Sequence, residues 1–230
     1  MIDWHSHVLP KVDDGSKNVE ESLAMLDMLK SQGIDTVAAT SHFYANDESV
    51  SSFLERRQKA YEELCKSITE KSPEILLGAE VYYYSGISRM NDLKLLRLQD
   101  SKVLLLEMPM SKWSDYTVRE LIEISSSRDF KLVIAHLDRY MHFQSDKVIE
   151  KLLGNGILVQ ANASFFNDFL KKRKALNLLS NGYIHFVGSD CHNTKTRPPR
   201  IGGAYDAIRK KFGEQFLSGM DSFGRSVLSK

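Results

Sequence analysis

Two hydrophobic rhythms alternate along the chain. Short runs rich in aliphatic and β-branched residues recur at 2–7, 34–40, 74–81, 103–107, 131–136, 156–161 and 184–189, each of strand length. Between them apolar residues fall at helical spacing. In 18–32, Val19, Leu23, Leu26 and Leu29 share a face, and Gly33 supplies a stop. The segment 48–69 is long, charged and amphipathic. Shorter helices are predicted at 114–127 and 145–153, and 165–180 and 203–212 complete the set. Strands separated by helical crossovers imply a parallel sheet. No repeat, low-complexity tract or linker divides the chain, so 1–230 reads as one α/β domain. At this length, closure into a small β/α barrel is favoured over an open sheet.

Composition narrows the function classes. Apolar residues make up 42% and charged residues 27%, enough for an ordinary globular core. The net charge of +1 gives no electrostatic case for nucleic acid or a membrane surface. Cys65 and Cys191 are the two cysteines, too few and too far apart for a disulfide framework. No apolar run reaches spanning length and the N-terminus has no signal-peptide pattern. A cytoplasmic protein without direct membrane insertion is expected.

The chemistry lies at the strand ends. His5 and His7 project from the same side of a strand, a geometry suited to chelating a metal through neutral imidazoles. The next strands are followed by His42, end at Glu80 and Glu107, end at His136, and lead into Asp190-Cys191-His192. In β/α barrels this C-terminal end carries the active site. Asp14, in Val12-Asp13-Asp14-Gly15, can join from the first loop. Asp14, Glu80, Glu107 and Asp190 with His5, His7, His42, His136 and His192 make nine side chains, too many for one ion and suited to two or three. Carboxylates mixed with imidazoles suit Mn, Fe or Zn.

Taken together these residues resemble the polymerase-and-histidinol-phosphatase superfamily, which opens on an His-x-His strand. They are more similar still to bacterial tyrosine phosphatases encoded with capsule and exopolysaccharide genes. The likeness runs through Asp3-Trp4-His5-Ser6-His7, Val12-Asp13-Asp14-Gly15, Thr40-Ser41-His42-Phe43, Gly78-Ala79-Glu80-Val81, Ala135-His136-Leu137-Asp138-Arg139-Tyr140 and Ser189-Asp190-Cys191-His192-Asn193. It implies a distorted seven-stranded (β/α)7 TIM-like barrel with three divalent ions, often manganese, at the C-terminal strand ends. By that pattern His5, His7, Glu80 and Asp190 hold the first ion. Glu80, bridging, holds the second with Glu107 and His136; Asp14, His42 and His192 hold the third. Arg139 and Arg197 match phosphate-binding arginines. Asp138 stands where the family often has Glu, at a position that is not a ligand.

The reaction implied is hydrolysis of phosphotyrosine, with a metal-bridging hydroxide attacking phosphorus in line and the arginines neutralising non-bridging oxygens. The implied substrate is the tail of a bacterial tyrosine kinase controlling polysaccharide export. Alternatives are a small-metabolite phosphatase, for example for histidinol phosphate, and a metal-binding regulatory module without activity.

Other features carry weaker readings. Cys191 to Arg197 fits Cys-x5-Arg, the signature of cysteine-dependent tyrosine phosphatases. The loop lacks glycine, Pro198-Pro199 follow, and Asp190 disfavours a thiolate. His142 and His185 are read as structural. In Tyr82-Tyr83-Tyr84, alternation sends Tyr83 opposite to its neighbours, so at most part of the run can face a phosphotyrosine ring. Lys171-Lys172-Arg173-Lys174 reads as a solvated helix face, with a docking site for an acidic, tyrosine-rich tail as the lesser alternative, and Asn162 as a hydrogen-bonding residue within the site.

Overall fold

A computed structural model describes residues 1–229. Its strands are β1 (Ile2–Ser6), β2 (Thr36–Ala39), β3 (His42–Phe43), β4 (Glu74–Leu77), β5 (Glu80–Tyr82), β6 (Val103–Glu107), β7 (Lys131–Ile134), β8 (Leu158–Asn162) and β9 (Phe186–Gly188). They pair in parallel, in the orders β1-β2-β4 and β3-β5-β6-β7-β8-β9. Nine strands stand among the described residues against the seven expected: the 74–81 run breaks at Gly78-Ala79, and β3 lies beyond the 34–40 run after Thr40-Ser41. Hydrogen bonds cross both breaks: Gly78 N–H donates to Ala39 O at 3.0 Å and Glu80 N–H to Ser41 O at 3.0 Å. The two sheets therefore form one bent surface. It curls until the end of β9 lies beside β1, where Asp190 N–H donates to His5 O at 2.8 Å and His7 N–H to Cys191 O at 2.9 Å.

The helices are α1 (Val19–Ser31), α2 (Val50–Cys65), α3 (Asp115–Ser126), α4 (Leu137–Tyr140), α5 (Asp146–Leu153), α6 (Ala163–Asn167), α7 (Lys172–Ser180), α8 (Gly202–Phe212) and α9 (Glu214–Leu228). Side-chain caps set three starts: Asn18 accepts from Glu21 N–H at 2.8 Å, Ser49 from Ser52 N–H at 3.2 Å and Ser114 from Thr117 N–H at 3.1 Å. The helix predicted to run to 69 stops at Cys65. The one predicted over 165–180 is two helices, α6 and α7, separated at 168–171, where the Asp168 side chain accepts from Leu170 and Lys171 N–H. Such local bonds compete with the helical ladder. α4 and α9 were not read from the pattern. α9 contains Gly219 and Gly224, which lower helix propensity, but a Cβ at Gly224 would lie 2.8 Å from Trp4 Cζ2. The glycine lets this helix seal the fold beneath β1.

Two apolar clusters hold the structure. The larger packs the strands against the helices and includes Leu26, Val37, Phe53, Leu106, Leu121, Ile134, Phe166 and Ile208. The smaller joins Ile2, Trp4, Ala38, Leu105, Val133, Ala135, Phe186 and Val227. Apart from Val227 on α9, these residues come from strands, or the residue just after one, that are not all sheet neighbours, so they meet across the inside of the curl. Trp4 and Phe186 stack there with ring centroids 3.8 Å apart. β9 must approach β1 closely for this. At Gly188 a Cβ would sit 2.5 Å from His5 Cβ and 3.0 Å from His5 N. Gly188→Ala is therefore expected to destabilise the fold by about 2 kcal/mol through overpacking. A urea titration reads this as a lowered midpoint, and an unchanged midpoint would contradict the tight β1–β9 apposition.

Candidate metal centre

All nine side chains singled out from the sequence converge at the C-terminal side of the curled sheet. β1 delivers His5 and His7, both fully buried; its register against β2 shifts between Asp3 and Ser6, a bulge-like irregularity that re-aims side chains. His42 and Glu80 open β3 and β5 just after the two strand breaks, and Glu107 closes β6. His136 and Asp190 each lie two residues beyond a strand, β7 and β9, in left-handed backbone with φ of 55° and 53°. Non-glycine residues rarely adopt this conformation, and such strain concentrates at functional sites. Asp14 arrives from the loop after β1, and His192 follows Cys191.

The donor atoms fall into four overlapping groups: His7, Asp14, His42 and His192; His5, His136 and Asp190; His5, His7 and Glu80; and His42, Glu80 and Glu107. Within each group the atoms lie within 4.8 Å of one another. His7 joins Asp14, His42 and His192, and Glu107 lies with His42 and Glu80. The grouping thus differs in detail from the family pattern, while His5, His7, His42 and Glu80 are each shared between two sets. Glu80 Oε2 is 3.1 Å from His5 Nε2, 3.4 Å from His7 Nε2 and 3.0 Å from His42 Nδ1. Glu80 Oε1 is 2.7 Å from His136 Nε2.

The surrounding hydrogen bonds fix which imidazole nitrogens carry lone pairs. His7 Nδ1 donates to Asp13 Oδ2 at 2.7 Å. Asn162 Nδ2 donates to Asp190 at 3.0 Å, so its Oδ1 accepts from His136 Nδ1 at 2.9 Å. His192 Nδ1 donates to the Asp190 carbonyl at 3.1 Å. Each Nε2 is thereby left to point a lone pair into the cluster, the second-sphere arrangement typical of ligating histidines. His5 and His7 bring their Nε2 atoms within 3.2 Å of each other. Glu80 Oε2, His42 Nδ1 and His192 Nε2 are buried without a hydrogen-bond partner. Buried polar atoms without partners are costly, and divalent cations among these donors satisfy them. The residue set fits a metal.

Electrostatics agree. Burial opposes ionisation of Glu80, yet His5 and His136, joined by His42, hold its carboxyl well below the usual range. Burial likewise opposes Asp190, but His5, His136, His7 and Arg139 lower it. Glu107 is raised by burial and by the neighbouring Glu80 charge. Burial would depress His7, but Asp13 and Glu80 override it and push its pKa up to about 10. Burial, His7 and Arg197 bring His192 down to about 4. The carboxylates thus draw positive charge to the His7 and His136 imidazoles, and a bound divalent cation would displace the Nε2 protons and take over that charge.

Arg139 pairs with Asp190 Oδ2, and Arg197 donates to Asp190 Oδ1 at 2.8 Å. Both guanidiniums line a cleft of about 590 Å³ with Arg200, Asn162, Ser164, Asn167, Thr196 and Asp190. Arg200 was not singled out from the sequence, because an isolated exposed arginine carries no local pattern. Asp13 was also passed over in favour of Asp14. The paired aspartates of Val12-Asp13-Asp14-Gly15 were the available signal, and Asp13 is the one that orients His7 and accepts from His42 N–H at 2.9 Å. Asp138 accepts from Asn162 N–H at 3.0 Å, and Gln160 accepts from His136 N–H at 2.9 Å.

The remaining residues sort clearly. Cys191 is fully buried, and burial, aided by Asp3 and Asp190, pushes its thiol far up, so it cannot serve as the attacking thiolate. His185 is half-buried and accepts from Val159 N–H at 3.2 Å. His142 is exposed beside Met141 and Lys174. Tyr83 is buried on Glu120 at 2.7 Å, whereas Tyr82 is exposed, 5.6 Å from the ring of Tyr44.

A curled parallel α/β sheet with overlapping carboxylate–imidazole groups at its C-terminal strand ends, beside an arginine-lined cleft, defines a metal-dependent hydrolase of anionic substrates. The chain belongs to the capsular polysaccharide synthesis family CpsB/CapC, whose model matches residues 1–221. It is 34% identical to the tyrosine-protein phosphatase CpsB of Streptococcus pneumoniae, over 93% of this chain and 91% of that one. It is 31% identical to the tyrosine-protein phosphatase YwqE of Bacillus subtilis, over 94% and 86%. Among solved structures it superposes with a TM-score of 0.84 and 26% identity on a chain from the crystal structures of YwqE from B. subtilis and CpsB from S. pneumoniae, described as unique metal-dependent tyrosine phosphatases. That match covers 99% of this chain and 94% of that one.

Asp13→Ala frees both the His7 ring and the His42 backbone. It is expected to weaken metal affinity about 10–100-fold with the fold retained, measured by titration calorimetry alongside circular dichroism. Wild-type affinity would show that Asp13 does not orient a ligand.

Proposed function

We propose that this chain is a metal-dependent protein-tyrosine phosphatase acting on a phosphorylated tyrosine kinase of capsular or exopolysaccharide synthesis. The observation that carries the reading is the adjacency of the nine-residue cluster to a cleft presenting Arg139 and Arg197. It is supported by the kinship with CpsB and YwqE. Three divalent ions, Mn by preference over Fe or Zn, fit a donor set of five imidazoles and four carboxylates shared through Glu80, His5, His7 and His42. We read the fold as a distorted seven-stranded barrel forming one domain over 1–230, counting β2–β3 and β4–β5 as bent single strands. A cytoplasmic location fits this role; among the described residues no helix is long and apolar enough to cross a membrane.

When bound, the ions supply water activation and Lewis-acid neutralisation of phosphoryl charge. The chain's own residues do the rest. Asp190 holds the two guanidiniums at the mouth of the cluster, where they can bind non-bridging phosphoryl oxygens and stabilise charge as it builds. Tyr44 borders His42, its ring 5.4 Å from the imidazole, and Tyr82 lies beyond it at 5.6 Å; the two rings offer apolar faces to a phosphotyrosine ring. The leaving phenol has a free pKa near about 10, so no strong general acid is demanded. No covalent phosphoenzyme is needed.

Chelation is expected to abolish turnover of a phosphotyrosine peptide, and Mn to restore it. Cys191→Ser is expected to retain most activity; its inactivation would revive the thiolate route. Parallel assays on histidinol phosphate test the substrate class, and preference for that metabolite would overturn the protein-phosphatase reading. Arg139→Ala is expected to keep its metal content by elemental analysis while losing at least about 100-fold in kcat/KM. An unchanged rate would remove Arg139 from the site.

A further inference from the structure

We propose that the turn at 168–171, between α6 and α7, is a membrane-surface anchor. Phe169 and Leu170 enter the interface of an anionic phospholipid bilayer, and Lys172, Arg173 and Lys174 meet its headgroup phosphates. Phe169 is 92% exposed and Leu170 86%, whereas the next most exposed large apolar residue, Met110, is at 54%. Adjacent aromatic and aliphatic side chains this open to water are disfavoured unless something covers them.

The turn is built to hold them outward. The Asp168 side chain accepts from Leu170 N–H at 2.8 Å and Lys171 N–H at 3.2 Å, and its carbonyl accepts from Lys172 N–H at 2.8 Å. α7 buries its own apolar face through Ala175, Leu176 and Leu179, so Phe169 and Leu170 are not displaced core residues.

Basic residues outnumber acidic ones beside the tip, where Asp168 in the turn and Asp138 across a hollow from Lys171 and Lys174 are the carboxylates. Lys171 pairs with Asp168 at 3.5 Å. Among the described residues no carboxylate lies within ion-pair distance of Lys172, Arg173 or Lys174, and α7 contains no acidic residue. Leu170 shares a shallow hollow with Arg173, Lys174, Asn177 and Leu178, so the apolar tip and the cations form one surface. The near-neutral net charge of the whole chain conceals this local concentration.

Charge complementarity selects the occupant, since Lys172, Arg173 and Lys174 beside an exposed apolar tip match an anionic headgroup layer over acyl chains. A protruding Phe-Leu pair ringed by Lys and Arg has the form that enters a headgroup–acyl boundary, with the cations on lipid phosphates. Asn167 and Asp168 also line the arginine cleft. Anchoring would set that mouth beside the bilayer and favour phosphorylated polypeptides tethered close to it. The proposal is independent of the reaction at the metal centre.

The test is flotation of the full chain with vesicles of phosphatidylcholine, with and without phosphatidylglycerol. Wild type is expected to float with the anionic vesicles, less so at high salt, and to stay behind with neutral ones. The double variant Phe169→Ser/Leu170→Ser is expected to lose at least about tenfold in partitioning. Lys172→Gln/Arg173→Gln/Lys174→Gln is expected to lose the salt-sensitive part. Both variants should match wild type in metal content and in hydrolysis of a soluble phosphotyrosine peptide without vesicles. Absence of flotation, or flotation unaffected by the Phe169/Leu170 change, overturns the proposal. So does lost turnover of a soluble phosphoprotein by the serine variant without lipid, which would make the tip a protein-docking element.

Discussion

The structure depends on keeping the Glu80 carboxylate charged with no exposure to solvent. An isolated buried charge costs several kcal/mol even after relaxation. Glu80 is held below its usual range by imidazoles from three directions: His5 on β1, His136 beyond β7 and His42 on β3. Those imidazoles are themselves crowded, with ring centroids 4.6 Å apart for His5–His136 and for His7–His42. They cannot all carry protons together. Cations shared among these donors resolve both problems, because they compensate the carboxylates without demanding protonated rings.

That requirement is visible in the backbone. The irregularities of the sheet gather at one end: the register shift in β1, the breaks before His42 and Glu80, and the left-handed residues His136 and Asp190. The opposite, inner part of the curl is filled by Trp4, Phe186, Leu105 and Val133. The apolar packing below supplies a rigid base. The strain above aims donors at a common centre, and Asp13, Asn162 and the Asp190 carbonyl lock the rings in place. Asp190 has two roles, since its carboxylate lies among the donors and also gathers Arg139 and Arg197 at the cleft.

Legibility in the sequence followed the range of the interaction. α1, α3, α5 and α8 were readable within a residue or two because apolar spacing and caps are local. The long predicted 165–180 helix failed at Asp168, whose side chain competes with the ladder. α9 went unread in a segment whose two glycines lower helix propensity, and the use of Gly224 lies in packing against Trp4, more than 200 residues away in the chain. Eight of the nine candidate donors were legible because each stands at or near a strand end, and Asp14 because of the paired aspartates in the first loop. Asp13, Gln160 and Arg200 were not, because their roles are defined by partners on other strands or by the cleft they line.

The order of strands and helices, the gathering of His, Asp and Glu at strand ends, and the kinship with a capsule-associated phosphatase family were written in the sequence. Periodicity and short motifs are local properties of a chain. The tertiary structure alone decided which oxygen faces which imidazole, that Cys191 is sealed from solvent, and that two strands bend where the site needs them. Those outcomes depend on how the sheet curls, and curling brings together residues whose separation along the chain carries no local trace of the contact.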